Sequence, residues 1–328
     1  MGEVKQIQPN HADHISGYKD KWLQNMLDTE CVIAQPKYDG ERMLIHIDHG
    51  NIYCTSRRHS KATGKFMENQ DKLPKLKEFF KDFCYDYTVV DCECYQKDWS
   101  TIVGILHSLP ERAIELSKAN PPYFALFDCL FFDGEDLRDK PYRQRLEKLL
   151  KVLAYVTFSF TYRMHLASFI DDDLLVNNLT EAHAFTSIDE FPIAMQNAID
   201  DGYEGIVVKS LDKTYYEQGA SLKCKKFETV DVVVCGYDVG RGKYADTIGA
   251  LHVGYYDPST QSIVKISNVN CGTDEERNMW RDKWEMLKNS VIEVKCQEVT
   301  DSSLRHPVYI RIRDDKDYTM CTRDTIFK

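Results

Sequence analysis

The sequence has no apolar run approaching the length that crosses a bilayer, and no basic-then-apolar leader. It begins MGEVKQIQPNHADHISGYKD. Membrane insertion and export are therefore not expected; a soluble protein in the cytoplasm of a cell or host is. The Met-Gly start lacks the Ser or Thr that myristoylation needs, so no lipid anchor is expected. Cysteine is plentiful at eleven, but the paired CxxC spacing of a zinc site is missing. Cys92 and Cys94 alternate along a strand-like run, as core thiols do. All eleven are read as reduced and intracellular. A basic excess is also lacking: 42 Lys and Arg against 52 Asp and Glu give a formal charge of -10. That argues against a general nucleic-acid binder but leaves room for local clusters. Such clusters stand at Arg57-Arg58-His59 with Lys61 and Lys65, at Lys223 to Lys226, and at Arg241 to Lys243. Internal repeats, low-complexity tracts and long linkers are absent.

At 328 residues, of which 43% are hydrophobic, two domains with real cores are expected. Strands are predicted at Arg42 to Ile47 and Ile52 to Ser56, joined by the turn Asp48-His49-Gly50-Asn51. Further strands are predicted at Thr88 to Tyr95, Tyr123 to Phe132, Ile206 to Ser210 and Ser221 to Phe227. Helices are predicted at Leu73 to Phe83, Arg143 to Val156 and Ile188 to Asp200. After Val230 the pattern changes to short strands with glycine turns around one helix, Asp274 to Lys288, which is the pattern of a small β-barrel. The domain boundary falls between residues 229 and 230.

The most informative stretch is Lys37-Tyr38-Asp39-Gly40-Glu41-Arg42, which follows the apolar run Cys31-Val32-Ile33-Ala34. A lysine at the end of a strand, with glycine supplying the angles of a tight turn, can act as an amine nucleophile toward phosphorus. A salt-bridged surface turn is the alternative. Period-two geometry puts Val89, Asp91, Glu93 and Tyr95 on one face of a strand; two carboxylates there suit a sugar hydroxyl or a divalent cation, or an exposed edge. In the apolar run from Tyr123 to Phe132 one aromatic can stack on a base while the others are core. Glu204 opens a buried strand, where glutamate needs a partner or a metal. Lys223 and Lys225 share a face and repel unless an anion sits between them; a lysine-guarded edge strand is the alternative. In the last strand, Val308, Ile310 and Ile312 are predicted to face inward, and Tyr309, Arg311 and Arg313 outward. Arginine forks there can grip phosphates.

These segments in this order resemble the ATP-dependent DNA ligases, within the covalent nucleotidyltransferases, over residues 20–320. The resemblance implies an α+β fold, with an adenylation domain of antiparallel sheets and flanking helices over 1–229 and an OB-fold barrel over 230–328. It implies Lys37 as the adenylylated lysine, with Gln35, Arg42, Glu93, Phe127 and Lys209 around the nucleotide. Phe127 would stack on adenine, and Glu93 would bind ribose. Glu93 and Glu204 would serve Mg2+, with Mn2+ as a substitute. Lys223 and Lys225 would contact the α-phosphate. Arg305, Arg313, Asp315 and Lys316 match the last motif, on the barrel, and Val230 to Val234 followed by Gly240-Arg241-Gly242-Lys243 resembles the entry into it. Arg57 would grip the nick phosphate, with Arg58, Arg241 and Lys243 as further DNA contacts. Many ligases carry glutamate two residues before the lysine; Gln35 stands here, and its amide oxygen still accepts a hydrogen bond from adenine. The residues before Lys37 leave no room for the large helical DNA-binding domain of cellular ligases, so a compact ligase of the phage and viral type is expected. The implied activity is sealing of nicked duplex DNA with ATP in replication, repair or recombination, by a monomer. RNA ligases, mRNA-capping guanylyltransferases and a non-catalytic nucleic-acid clamp are the rival readings.

Overall fold

The computed structural model describes residues 5–14, 21–61, 63–155, 163–166, 191–270 and 272–327. The chain divides into two compact units, Met1–Lys225 and Lys226–Lys328. Among the described residues no helix is long and apolar enough to cross a membrane.

In the first unit, alternating sequences become two sheets. One takes the order β1 (Asp13–His14), β11 (Ser221–Lys225), β10 (Gly205–Ser210), β2 (Val32–Lys37). Ala34, Ile206, Val208, Leu222 and Cys224 form one face of this sheet. They pack on Leu23 and Met26 of the helix Lys21–Thr29, and on Phe191 and Ala198 of Phe191–Asp200. The other sheet runs β5 (Phe66–Glu68), β4 (Asn51–His59), β3 (Gly40–Asp48), β6 (Thr88–Tyr95), β7 (Tyr123–Phe132), β8 (Glu135–Asp136), with β9 (Arg163–Leu166) parallel to β7. Met43, Ile45, Val90, Cys92 and Cys94 bury one face of it with Ile102, Ile105, Leu146 and Leu149 from two helices. Cys92 and Cys94 are thus core thiols, on a central strand rather than an exposed edge.

The second unit is a closed five-stranded barrel in the order β12 (Glu228–Val239), β13 (Ile248–Asp257), β14 (Ser262–Asn270), β18 (Val308–Ile312), β15 (Val291–Cys296). That is the strand order of an OB barrel. Thr273 and Glu276 form a reciprocal capping box at the start of the helix Asp274–Asp282, which sends Trp280 into the barrel core. A short hairpin, β16 (Glu298–Val299) with β17 (Leu304–Arg305), stands beside it.

Several expectations are corrected. Leu73 to Phe83 is not one helix: a 3-10 turn at Gln70–Lys72 is followed by a single turn at Leu76–Phe79. Pro74 explains the interruption, because the residue before proline is pushed out of the helical region. The apolar set Leu73, Leu76, Phe79, Phe80 and Phe83 is buried all the same. Asp274 to Lys288 is two helices, broken at Lys283. The helix expected at Arg143 to Val156 spans Tyr142–Leu153; its last position, 156, and positions 188–190 of the third expected helix lie outside the described residues. In the last strand the alternation fails, because a bulge opposite Glu293 and Val294 shifts the register at Ile310. Val308 and Ile310 are exposed, while Tyr309 packs edge-on against Trp280.

Burial sets one pH response. His46 on β3 has no exposure; its ring atoms contact the Tyr87 and Thr55 hydroxyls at 2.9 and 3.0 Å. Burial lowers its pKa from 6.5 to about 4. The unfolded chain takes up a proton below pH 6.5 that the folded chain refuses until about pH 4. The associated stability is complete above the higher value and is lost as pH falls through this window, by roughly 3 kcal/mol. His46→Gln is expected to lower stability at pH 8 but flatten its decline between pH 6.5 and 4. Urea melts across that range check this; an unchanged slope removes His46 as the source.

Candidate active site

The pairing register assembles the site. Lys37, Gly205 and Lys225 lie in one row across β2, β10 and β11; Gln35, Val207 and Lys223 form the next row on the same face. Lys37 is the last residue of β2, and its carbonyl accepts the Glu204 backbone N–H at 2.9 Å. The Glu204 side chain is 6% exposed, and its two carboxylate oxygens pair with Lys37 Nζ and Lys225 Nζ. Burial, the largest influence, pushes this carboxyl up, but the lysines together outweigh it and hold it below the ordinary glutamate value. The partner that the buried glutamate required is therefore this lysine pair.

Gly40 is needed for a reason other than turn angles. It already belongs to β3, and a Cβ there would lie 2.4 Å from the Cys94 carbonyl oxygen. The Lys37–Arg42 motif thus permits close approach of β6, which carries Asp91 and Glu93 beside Arg42. Asp91 is fully buried. It accepts Arg42 Nε at 2.9 Å, Arg42 Nη2 at 2.6 Å and the Tyr215 hydroxyl at 2.6 Å. Arg42 also donates to the Asn10 carbonyl, so its fork is held by protein groups. Glu93, two residues along the same face, has its pKa raised to about 7. Burial is the main cause, with Asp91 and Glu204 adding to it against Lys37 and Arg42.

β7 carries a bulge between Leu126 and Asp128, and Phe127 is the extra residue. Its ring has Arg42 at 5.2 Å and Lys209 at 4.7 Å from the centroid. Lys209 is buried; its ammonium donates to the Phe127 carbonyl at 2.8 Å and lies 3.9 Å from Asp128. Burial lowers its pKa to about 8. Asp128 is held by Arg145 through two bonds of 2.8 and 3.1 Å, both side chains being buried. Gln35, 2% exposed, donates to the Tyr142 hydroxyl at 3.0 Å.

Cations accumulate at the β11 side. The Lys223 pKa is lowered by burial and then by Lys37, Lys225 and Arg57, with Asp13 opposing. The His11 pKa is lowered by burial, Arg57, Arg42 and Lys223. Arg57 is exposed, whereas Arg58 is tied to Glu41 at 3.0 Å. Mutual repulsion in such a group favours an anion among its members.

In the barrel unit, Arg313 reaches Asp231 at 2.9 Å and Asp315 at 2.8 Å, and Lys316 reaches Asp231 at 3.0 Å. Arg305 lies 3.6 Å from Glu298. Arg241 and Lys243 are exposed, the latter 3.7 Å from Asp274. Reasoning from sequence missed Tyr142, Tyr215, His11 and the Asp128–Arg145 pair. Asp91 was placed on the correct face, but not as the counter-ion of Arg42. No group of three His, Cys, Asp or Glu positioned for a metal occurs among the described residues. Mg2+ is commonly held by one or two carboxylates with water and substrate phosphates; the hard oxygens of Glu93 and Glu204, close enough to influence each other, fit that donor set.

Two packed sheets with an OB barrel form a nucleotidyltransferase fold of the ligase kind. A Lig E DNA ligase, from a study of DNA binding with a minimal scaffold, superposes with TM-score 0.63 at 16% identity, covering 94% of this chain and 99% of that one. The solved structure Pmar-Lig_PreS3 gives 0.65 at 18% identity, covering 93% and 68%. The family model for the ATP-dependent DNA ligase domain matches residues 12–226, and the chain belongs to that family. A probable DNA ligase of Persephonella marina is 27% identical over 263 residues, 74% of this chain and 40% of that protein. A DNA ligase of Thermococcus onnurineus is 26% identical, over 95% of this chain and 56% of that protein. The chain spans about half the length of the curated relatives it matches.

Proposed function

We propose that this chain is an ATP-dependent DNA ligase that seals 5′-phosphate/3′-hydroxyl nicks through a lysyl-AMP intermediate. The observation carrying this reading is Lys37 at a strand end, sharing the buried Glu204 carboxylate with Lys225 beside Lys223 and Arg57. Residues 1–229 would form the adenylation domain and 230–328 the OB domain.

In the first step Lys37 leaves Glu204, loses its proton and attacks the α-phosphorus of ATP; the N–P bond forms as pyrophosphate leaves. Lys225 and Lys223 stabilise the phosphate charge, Phe127 stacks on the base, and Glu93 contacts the ribose. Arg42, fixed by Asp91, is assigned to the nucleotide. Glu93 and Glu204 would hold Mg2+, which supplies charge neutralisation at the phosphates when bound. Arg313, Lys316 and Arg305 are assigned to the triphosphate tail. AMP then passes to the nick 5′-phosphate. In the third step the 3′-hydroxyl attacks that phosphate, and AMP departs. Positioning and electrostatics carry each transfer.

A nicked duplex with ATP and Mg2+ tests the proposal. Sealing is expected; sealing confined to nicked RNA, labelling with GTP alone, or binding with no adduct would favour an RNA ligase, a guanylyltransferase or a clamp, respectively. Arg57 separates the steps. It is exposed at the edge of the cationic group and, with Arg58, Arg241 and Lys243, is assigned to DNA. Arg57→Ala is expected to keep self-adenylylation within about threefold while sealing falls roughly tenfold or more. Equal losses in both assays would overturn its assignment.

A further inference from the structure

The glutamine two residues before the nucleophile raises a question of orientation. A side-chain amide has an accepting end and a donating end, and either end can face a ligand. Adenine presents an amino donor where guanine presents a carbonyl acceptor. An unrestrained Gln35 would therefore accommodate both purines.

The surroundings remove that freedom. The Tyr142 hydroxyl stands 2.8 Å from the Phe127 backbone carbonyl and 3.0 Å from the Gln35 amide nitrogen. A carbonyl can only accept, so the single phenolic proton goes to Phe127. Only oxygen lone pairs then face Gln35, and only an N–H matches them. Turning the amide over would bring two acceptors together at a buried place, Gln35 and Tyr142 being 2% and 1% exposed, which costs the full desolvation of both. The Phe127 carbonyl also receives Lys209 at 2.8 Å, so its second lone pair is engaged too. Tyr142 is itself anchored. It is the first residue of its helix, its backbone N–H meets the Lys213 carbonyl at 2.9 Å, and Lys209 lies 4.5 Å from its ring centroid. The Gln35 side chain makes no further hydrogen bond to a described residue, so its amide oxygen is left for the ligand on the face that carries Lys37.

We infer that Tyr142 is a positioning residue that locks the Gln35 amide with its oxygen toward the nucleobase, and so selects adenine over guanine. This rests on the nucleotide-transfer reading above. Phe127 links the two forms of base recognition: its ring is the stacking platform, and its carbonyl holds the lock.

The test compares initial rates of protein–nucleotide adduct formation with α-labelled ATP and GTP, with melting temperatures measured alongside. Wild type is expected to favour ATP strongly. Tyr142→Phe keeps the ring in its buried seat and removes only the hydroxyl. The ATP-to-GTP rate ratio is expected to fall about tenfold or more, as a freed amide presents its donor to guanine. Adding Gln35→Glu to Tyr142→Phe restores the preference, because a carboxylate accepts whichever way it turns. A ratio unchanged by Tyr142→Phe, with both rates reduced alike, would show a packing role and overturn the inference. So would a lowered ratio that Gln35→Glu does not restore. Absence of any adduct from wild type and ATP would remove the proposed function, and this inference with it.

Discussion

Lys37→Arg is expected to form no detectable adduct with α-labelled ATP, a loss of at least about a thousandfold in the first step. Arginine is a more discriminating replacement than alanine here. The Glu204 carboxylate is 6% exposed and shared between Lys37 and Lys225. Lys37→Ala leaves it short of one cationic partner in a desolvated place, at a cost of about 1–3 kcal/mol, so lost activity would be confounded with lost stability. A guanidinium still pairs with Glu204, and at 20% exposure the Lys37 side chain has room to lengthen. What arginine cannot do is give up its proton and offer a nitrogen lone pair to phosphorus. The fold and the ion pair persist while the chemistry stops. Supplied with a nick that already carries AMP on its 5′-phosphate, the same variant needs no N–P bond and should still release AMP and join the strand. Mass spectrometry of the ATP-treated proteins, with melts at equal pH, reads both halves. An adduct on the Lys37→Arg protein at wild-type rates would overturn the assignment of the nucleophile.

Local periodicity carried much of this site. Alternation placed Asp91, Glu93 and Tyr95 on one face and Cys92 and Cys94 in the core, because β6 is paired on both sides and keeps its own period. It also placed Lys223 and Lys225 together, and the register of β10 with β11 then set Lys225 in the row of Lys37. The reading weakened wherever a bulge intervened. In the run Tyr123 to Phe132, nearly every residue is apolar, so nothing local singles out the aromatic that leaves the core; the bulge at Phe127 does. A second bulge at Ile310 left Val308 and Ile310 exposed and turned Tyr309 inward, while Ile312 and Arg311, beyond it, keep the expected faces. Long-range partners were not legible at all. Tyr142 is 107 positions from Gln35, and Tyr215 is 124 from Asp91. Tyr142 opens a helix and Tyr215 lies in the turn segment between β10 and β11, so each meets its partner only through the tertiary fold, and that leaves no trace in a local pattern. The motif glycine at Gly40 was recognised but explained wrongly, since a close strand approach and a tight turn both exclude a side chain.

Gly205→Ala carries the second large expected effect, and it acts through the backbone alone. Gly205 has φ +151°, a value side chains rarely adopt, and it stands between Lys37 and Lys225 in their shared row. A Cβ there would lie 2.1 Å from the Cys224 carbonyl oxygen and 2.9 Å from the Lys225 Cα, both main-chain atoms that cannot swing aside. The substituted chain must either pull β10 from β11 or change the angle at residue 205. Either movement displaces Glu204, whose backbone N–H is fixed to the Lys37 carbonyl and whose carboxylate aligns both lysines. Destabilisation of roughly 3 kcal/mol is expected. Adduct formation should fall further than the folded fraction does, because the lysines lose their common partner in molecules that remain folded. Urea melts and adduct rates well below the melting temperature separate the two effects. Wild-type stability together with a wild-type rate would mean that the row across β2, β10 and β11 does not set the geometry of the nucleophile.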